Sequence, residues 1–162
     1  MKRLLLIVLS VVLCSCSSNN SGTSGNLTRS RLADNSSFYG RAVSTSEEKN
    51  LLAQKTYYFA FNSAVEQHYD LLSIYAHANN LFKHPKYHLR IEGHTDERGS
   101  HAYNNALGER RAQAIAAVLM LKGVPARQFS IVSFGKEKPC NKGHDARAWQ
   151  LNRRVELVYE MR

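Results

Sequence analysis

Four residues between a predicted strand and a predicted helix carry the densest chemistry in the chain: His94, Asp96, Glu97 and Arg98. Two more cations, Arg110 and Arg111, follow on the helix. Counting ~100° per residue from Leu107, the apolar residues Ala114, Ile115, Val118 and Leu121 fall within roughly 80° of it, and Arg111 lies about 40° away, inside that stripe. A guanidinium on a buried face needs acceptors and an anionic partner, because an unpaired buried charge is costly. On residue types alone an internal ion pair is the commoner answer. The sharper one is that Arg111 and Asp96 together line a small polar pocket at the strand-to-helix corner.

Enzymatic chemistry finds little support. His94, Asp96, His101 and His144 suggest a metal site and Glu92 or Glu97 a general base, but no HExxH occurs and no HxxxH falls on a predicted helix. The seven histidines are scattered and form no helical pair four apart. No GxSxG is present, and Cys140 sits in a predicted loop without a helix dipole to activate it. The expectation is therefore no enzyme, no metal and no cofactor. The net charge of +9 drops to +7 once Lys2 and Arg3 are removed with a leader. It invites a nucleic-acid reading, against which stand the export signal and the lack of a nucleic-acid motif. Lys136, Lys138, Lys142, Arg147, Arg153 and Arg154 gather in the C-terminal third, as a solvated face or one suited to an anionic partner.

The elements that must position these residues occupy the last two thirds of the chain. Residues 1–15 read as a secretory signal peptide, Lys2-Arg3 followed by the apolar run Leu4–Leu13, which is too short to span a bilayer comfortably. Leu13-Cys14-Ser15-Cys16 resembles a bacterial lipobox, with Cys16 as the lipidated residue. Residues 16–50, rich in Ser, Asn, Thr and Gly, read as a lipidated flexible tether. Fully extended, the tether reaches ~110 Å; as a coil it averages ~30–35 Å. Leu51-Leu52 and Phe38-Tyr39 are candidates to dock on the domain or a partner.

Residues 51–162 suit one domain with a single core. The patterning predicts a strand over Thr56–Phe61, a helix over Val65–Lys83, a strand over Tyr87–Glu92 and a long helix over Ser100–Lys122. A third strand over Phe129–Phe134, a short helix over Asp145–Leu151 and a last strand over Arg154–Tyr159 follow, the last presenting Val155, Leu157 and Tyr159 to one side. The order implies an α/β (α+β) two-layer sandwich with its helices on one face.

Gly93-His94-Thr95-Asp96, Gly99, Tyr103-Asn104, Leu107-Gly108 and Arg110-Arg111-Ala112 closely resemble the signature of the OmpA-like peptidoglycan-binding domain family. Asp96-Glu97-Arg98-Gly99 looks like the lipoprotein members of that family in particular. Lys122-Gly123-Val124-Pro125, the run Ser133 to Pro139, Gly143-His144-Asp145 and Asn152-Arg153-Arg154-Val155 extend the resemblance over Thr56–Tyr159. It implies an OmpA-like mixed four-stranded sheet and a non-catalytic role. It implies a pocket for meso-diaminopimelate, the crosslinking residue of many Gram-negative cell walls. The ammonium of that residue would go to Asp96 and its carboxylate to the fork of Arg111. Phe61, Asn62, Asn104 and Leu107 are implicated in the same way. Asn62 stands where close relatives carry an aspartate, so weaker binding is expected. For Tyr103 and Leu107 the alternative is core packing, which is favoured for Tyr103.

By the same analogy Ser17 directs a lipidated Cys16 to the outer membrane, periplasmic face. The resemblance also implies a TolB-like β-propeller partner of the Tol envelope system that competes with peptidoglycan for one face. The alternative is an OmpA-like lipoprotein that binds peptidoglycan outside the Tol system. Some relatives carry a second cysteine just before the tryptophan; here Ala148 stands there, leaving Cys140 without an intrachain partner.

Overall fold

The computed structural model describes residues 44–65 and 71–161. The predicted signal peptide, Cys16 and the tether up to residue 43 lie outside the described residues, as do residues 66–70 of the helix predicted from Val65. The elements are α1 (Thr45–Ala53), β1 (Thr56–Tyr58), α2 (Leu71–Lys83), β2 (Tyr87–His94), α3 (His101–Leu121), β3 (Phe129–Gly135), α4 (Ala146–Asn152) and β4 (Arg154–Met161), with a 3-10 turn at Ala126–Gln128. The sheet has the order β1-β4-β2-β3. Its β2–β3 pair is parallel, and β4 runs antiparallel to both β2 and β1. This is the mixed four-stranded sheet expected.

Alternation builds the core. In β2, Leu89 and Ile91 point to the helices and are fully buried, while Arg90 and Glu92 point to the opposite face. Val155 and Leu157 of β4 pair with Gly93 and Ile91 and share their face. Ile74, Ala78 and Leu81 of α2 and Ala112, Ile115, Ala116 and Leu119 of α3 close the core from above. Tyr159 packs against the same cluster, so the predicted one-sided stripe of the last strand is present.

Ser100 caps α3 by accepting from the Tyr103 amide at 3.2 Å, and Gly123, at φ +86, ends it with its N–H donating to the Met120 carbonyl. Gly93 and Gly108 bring β2 and α3 into backbone contact. A Cβ on Gly93 would stand 1.9 Å from the Gly108 carbonyl oxygen, so nothing larger fits.

Two elements depart from the sequence reading. Residues 45–53 form a helix, where composition indicates tether up to Asn50. Ser44 caps α1, Lys83 bridges to Glu48 at 2.7 Å, and the buried Ser73 hydroxyl donates to the Leu51 carbonyl. Strand β1 stops at Tyr58 rather than Phe61. Phe59 keeps one sheet-like bond, its N–H to the Arg153 carbonyl, and the chain then turns through Asn62, at φ +52 in the left-handed region. Asparagine tolerates that conformation better than most residues.

Candidate functional site

Where β2 hands over to α3, a cavity of about 260 Å³ opens. Phe61, Asn62, Asp96, Asn104, Leu107 and Arg111, every site residue expected within the domain, line it together. The elements explain the convergence. The Gly93–Gly108 contact fixes how closely α3 approaches β2, so Arg111, one turn beyond Gly108, is held against the end of the strand. The turn at Asn62 delivers Phe61 and Asn62 to the rim.

Arg111 is fully buried, yet no ion pair within 4.0 Å compensates it among the described residues. Three backbone carbonyls do. Nε donates to Ser63 O at 2.8 Å, Nη1 to His94 O at 2.9 Å and Nη2 to Ala60 O at 3.1 Å. The internal ion pair that residue types favour is thus replaced by a cradle of main-chain acceptors. A guanidinium has five N–H groups, so two remain, the number that a carboxylate accepts. Burial, followed by the nearby Arg153, pushes the group down to about 10, and it stays charged at neutral pH.

Asp96 is buried and engaged. Its Oδ1 accepts from the Arg98 amide (3.2 Å) and Arg98 Nε (3.1 Å), and its Oδ2 from Arg98 Nη2 (2.7 Å) and Arg153 Nη1 (3.3 Å). Burial pushes the carboxyl up, but the Arg98 and Arg153 hydrogen bonds outweigh it and hold it below the ordinary carboxylate range. The free acceptor assumed from the sequence is therefore an occupied one. Arg98 itself lies between two aromatic faces, 4.2 Å from the Phe61 ring centroid and 4.1 Å from that of Trp149. Glu97, on the other side, accepts from Trp149 Nε1 at 2.8 Å and meets His144 Nδ1 at 2.7 Å, which ties the 143–145 loop and α4 to the rim.

Asn104 is buried and donates to the Arg98 carbonyl at 2.9 Å. Leu107 is buried where it lines the cavity, so packing and lining coincide. Tyr103 corrects an expectation: it is 43% exposed, lines the cavity and donates its hydroxyl to Asn62 Oδ1. It is therefore no core residue. Thr95, Arg98, Gly99 and Arg153 complete the lining, and the sequence reading assigns none of them to the pocket. Arg153 was read as part of a basic face. The signal for it was the Asn152-Arg153-Arg154-Val155 motif, whose tertiary destination no local pattern reveals.

A four-stranded mixed sheet under two helices, with an arginine and an aspartate converging at a strand-to-helix corner, is the architecture of the OmpA class of domain, and residues 58–153 match the OmpA family. The chain is 39% identical to the peptidoglycan-associated lipoprotein of Legionella pneumophila over 98% of its own length and 94% of that protein. It is 46% identical to the one from Pseudomonas aeruginosa over 70% of this chain and 67% of that one. The crystal structure of the Burkholderia pseudomallei peptidoglycan-associated lipoprotein superposes with a TM-score of 0.67 at 45% identity, covering 68% of this chain and 93% of that one. The C-terminal domain of Helicobacter pylori MotB is more distant, with a TM-score of 0.60 at 26% identity, covering 66% and 84%. The chain belongs to the peptidoglycan-associated lipoprotein family.

Proposed function

We propose that this chain is a non-catalytic anchor that binds peptidoglycan through the cavity, with the zwitterionic end of a meso-diaminopimelate stem peptide as its ligand. The observation that carries the reading is the charge of the lining: one aspartate among three arginines, Asp96 with Arg98, Arg111 and Arg153. Such a site is net positive and suits a ligand with more carboxylates than ammonium groups. The two N–H groups that Arg111 retains take a carboxylate. The ammonium reaches Asp96 by exchanging for Arg98, the more exposed of its two partners, which swings to a second carboxylate. Phe61 and Leu107 cover the methylene chain between the charged ends.

The wider role in this reading is a link between layers. Cys16 carries lipid in the outer membrane, the segment between Cys16 and α1 spans the gap, and the domain on the periplasmic face holds the wall. A TolB-like partner of the Tol system competes for the same rim, and nucleic acid is no partner. The relatives' name, peptidoglycan-associated lipoprotein, and the lipobox-like Cys14-Ser15-Cys16 support this reading.

Sedimentation with purified sacculi tests it. Wild-type protein pellets, and a soluble diaminopimelate-containing tripeptide releases it; Asp96→Ala and Arg111→Ala stay largely in the supernatant, at least tenfold weaker. The tripeptide arm needs no variant, so it holds even if a substitution disturbs folding. Pelleting that neither substitution nor tripeptide reduces removes the cavity from the account.

A further inference from the structure

The sheet face turned away from the helices carries a cluster that the cavity does not use. Glu92 and His94 project to it from β2, and Glu156 of β4 stands directly opposite Glu92 in the antiparallel register. Carboxylates facing each other across paired strands repel. Each has one arginine on one oxygen only: Arg90 Nε donates to Glu92 Oε1 at 2.7 Å, and Arg154 Nε to Glu156 Oε1 at 2.5 Å. The second oxygen of Glu92 faces His94 Nε2 at 3.8 Å. His94 is 1% exposed and lies against Phe134, with ring centroids 5.5 Å apart. Neither of its ring nitrogens makes a hydrogen bond. The Lys138 carbonyl lies near enough to favour a proton slightly, but outside hydrogen-bonding geometry. Buried polar atoms without partners are rare and demand a reason. One donor atom from each of Glu92, His94 and Glu156 falls within 4.8 Å of the others.

We propose that Glu92, His94 and Glu156 bind a divalent transition-metal ion of the zinc class, which clips β2 to β4 on the outer face of the sheet. One imidazole nitrogen and two carboxylate oxygens form a donor set that zinc takes in open sites, with water in the fourth position. The imidazole disfavours magnesium and calcium, which prefer all-oxygen shells. Ligand atoms ~2.0–2.2 Å from a tetrahedral ion stand roughly 3.3–3.5 Å apart. Side-chain rotations that draw the three donors together by up to about 1.5 Å therefore complete the site. Burial, aided by Arg154, keeps the His94 ring neutral at neutral pH, the form a metal ion takes. Arg90 and Arg154 retain the distal oxygens and orient the ligating ones; their charge lowers the affinity without closing the site. The spacing rules applied to the sequence missed this cluster because its third member comes from a partner strand.

Calorimetric titration of zinc chloride into the chelator-treated, tag-free full chain at pH 7.5 tests the site, alongside thermal denaturation. One zinc per chain and a zinc-dependent rise in Tm are expected, and magnesium produces neither. Glu156→Gln, at a half-buried position, weakens zinc binding at least tenfold, and His94→Gln at least a hundredfold. Because His94 is buried and its replacement can disturb folding, histidine-ring NMR of the wild type gives a second readout, in which the His94 nitrogens shift at the first equivalent. Exposed histidines bind zinc loosely, so the double variant H101Q/H144Q retains the tight site. Absence of uptake at tenfold excess zinc overturns the proposal. So does unchanged affinity in Glu156→Gln, or loss of the tight site in H101Q/H144Q.

Discussion

At position 111 a lysine would keep the charge and lose the fold's use of it. An ammonium carries its three N–H groups on one nitrogen, so it cannot reach all three carbonyls that the separate guanidinium nitrogens meet, those of Ala60 and Ser63 from one turn and that of His94 from β2. Arg111→Lys is expected to cost about 2 kcal/mol and Arg111→Ala about 3, from buried carbonyls left without donors. Urea unfolding with an unchanged m-value checks both. The position of this arginine within the apolar stripe was legible by counting along the helix. Its partners were not, because carbonyl oxygens belong to every residue type and leave no trace in composition. The same holds for Asp96: its neighbour Arg98 is two residues away, yet nothing local shows that a guanidinium doubles back onto that carboxylate, or that Arg153 arrives from the far end of the domain.

At the scale of elements, the Gly93–Gly108 contact sets the spacing between β2 and α3. Gly108→Ala would put its Cβ 2.5 Å from Ser133 Oγ and 3.0 Å from the Gly93 carbonyl oxygen, so the helix must move outward. A loss of about 2 kcal/mol is expected, with sacculus binding reduced as Arg111 leaves its cradle; thermal denaturation and sedimentation measure the two effects separately. A second joint lies between α1, α2 and β4. His77 is buried, with Nε2 2.8 Å from the Gln54 carbonyl and Nδ1 2.8 Å from the Tyr159 hydroxyl. A carbonyl only accepts, so Nε2 carries the proton and Nδ1 accepts from the tyrosine. Burial lowers the affinity of His77 for a second proton, as it does for His94.

The unfolded chain takes that proton near pH 6.5. The contribution of these groups is therefore complete above about pH 6.5 and is lost as pH falls toward their lower folded values. Tm should decline from pH 7 to pH 5, and His77→Gln, less stable at pH 7, should show a shallower slope. Strands and long helices were readable here because periodicity survives in a single sequence. Helix α1 was not, since it buries no residue fully and rests on a cap, one bridge and a bond from Ser73. The early end of β1 was hidden for a different reason: aromatic residues continue to Phe61, and only the left-handed Asn62 shows that the chain has turned.

On the scale of the whole molecule, the proposed anchor depends on reach. Among the described residues no helix is long and apolar enough to cross a membrane. In the proposed reading, attachment is through lipid on Cys16. Multiple acyl chains at ~0.8 kcal/mol per buried CH₂ make it stable. Cys16→Ala should move the protein from the membrane fraction to the soluble one while sacculus binding by the purified domain stays unchanged; fractionation followed by sedimentation decides it. The sheet order has a consequence for biosynthesis. Strand β4 lies between β1 and β2, so the sheet cannot close until residues near 161 have joined it. Pairings this distant in sequence form late. A nascent chain lacking its last strand therefore stays threadable, ready for any translocation channel that admits only extended polypeptide.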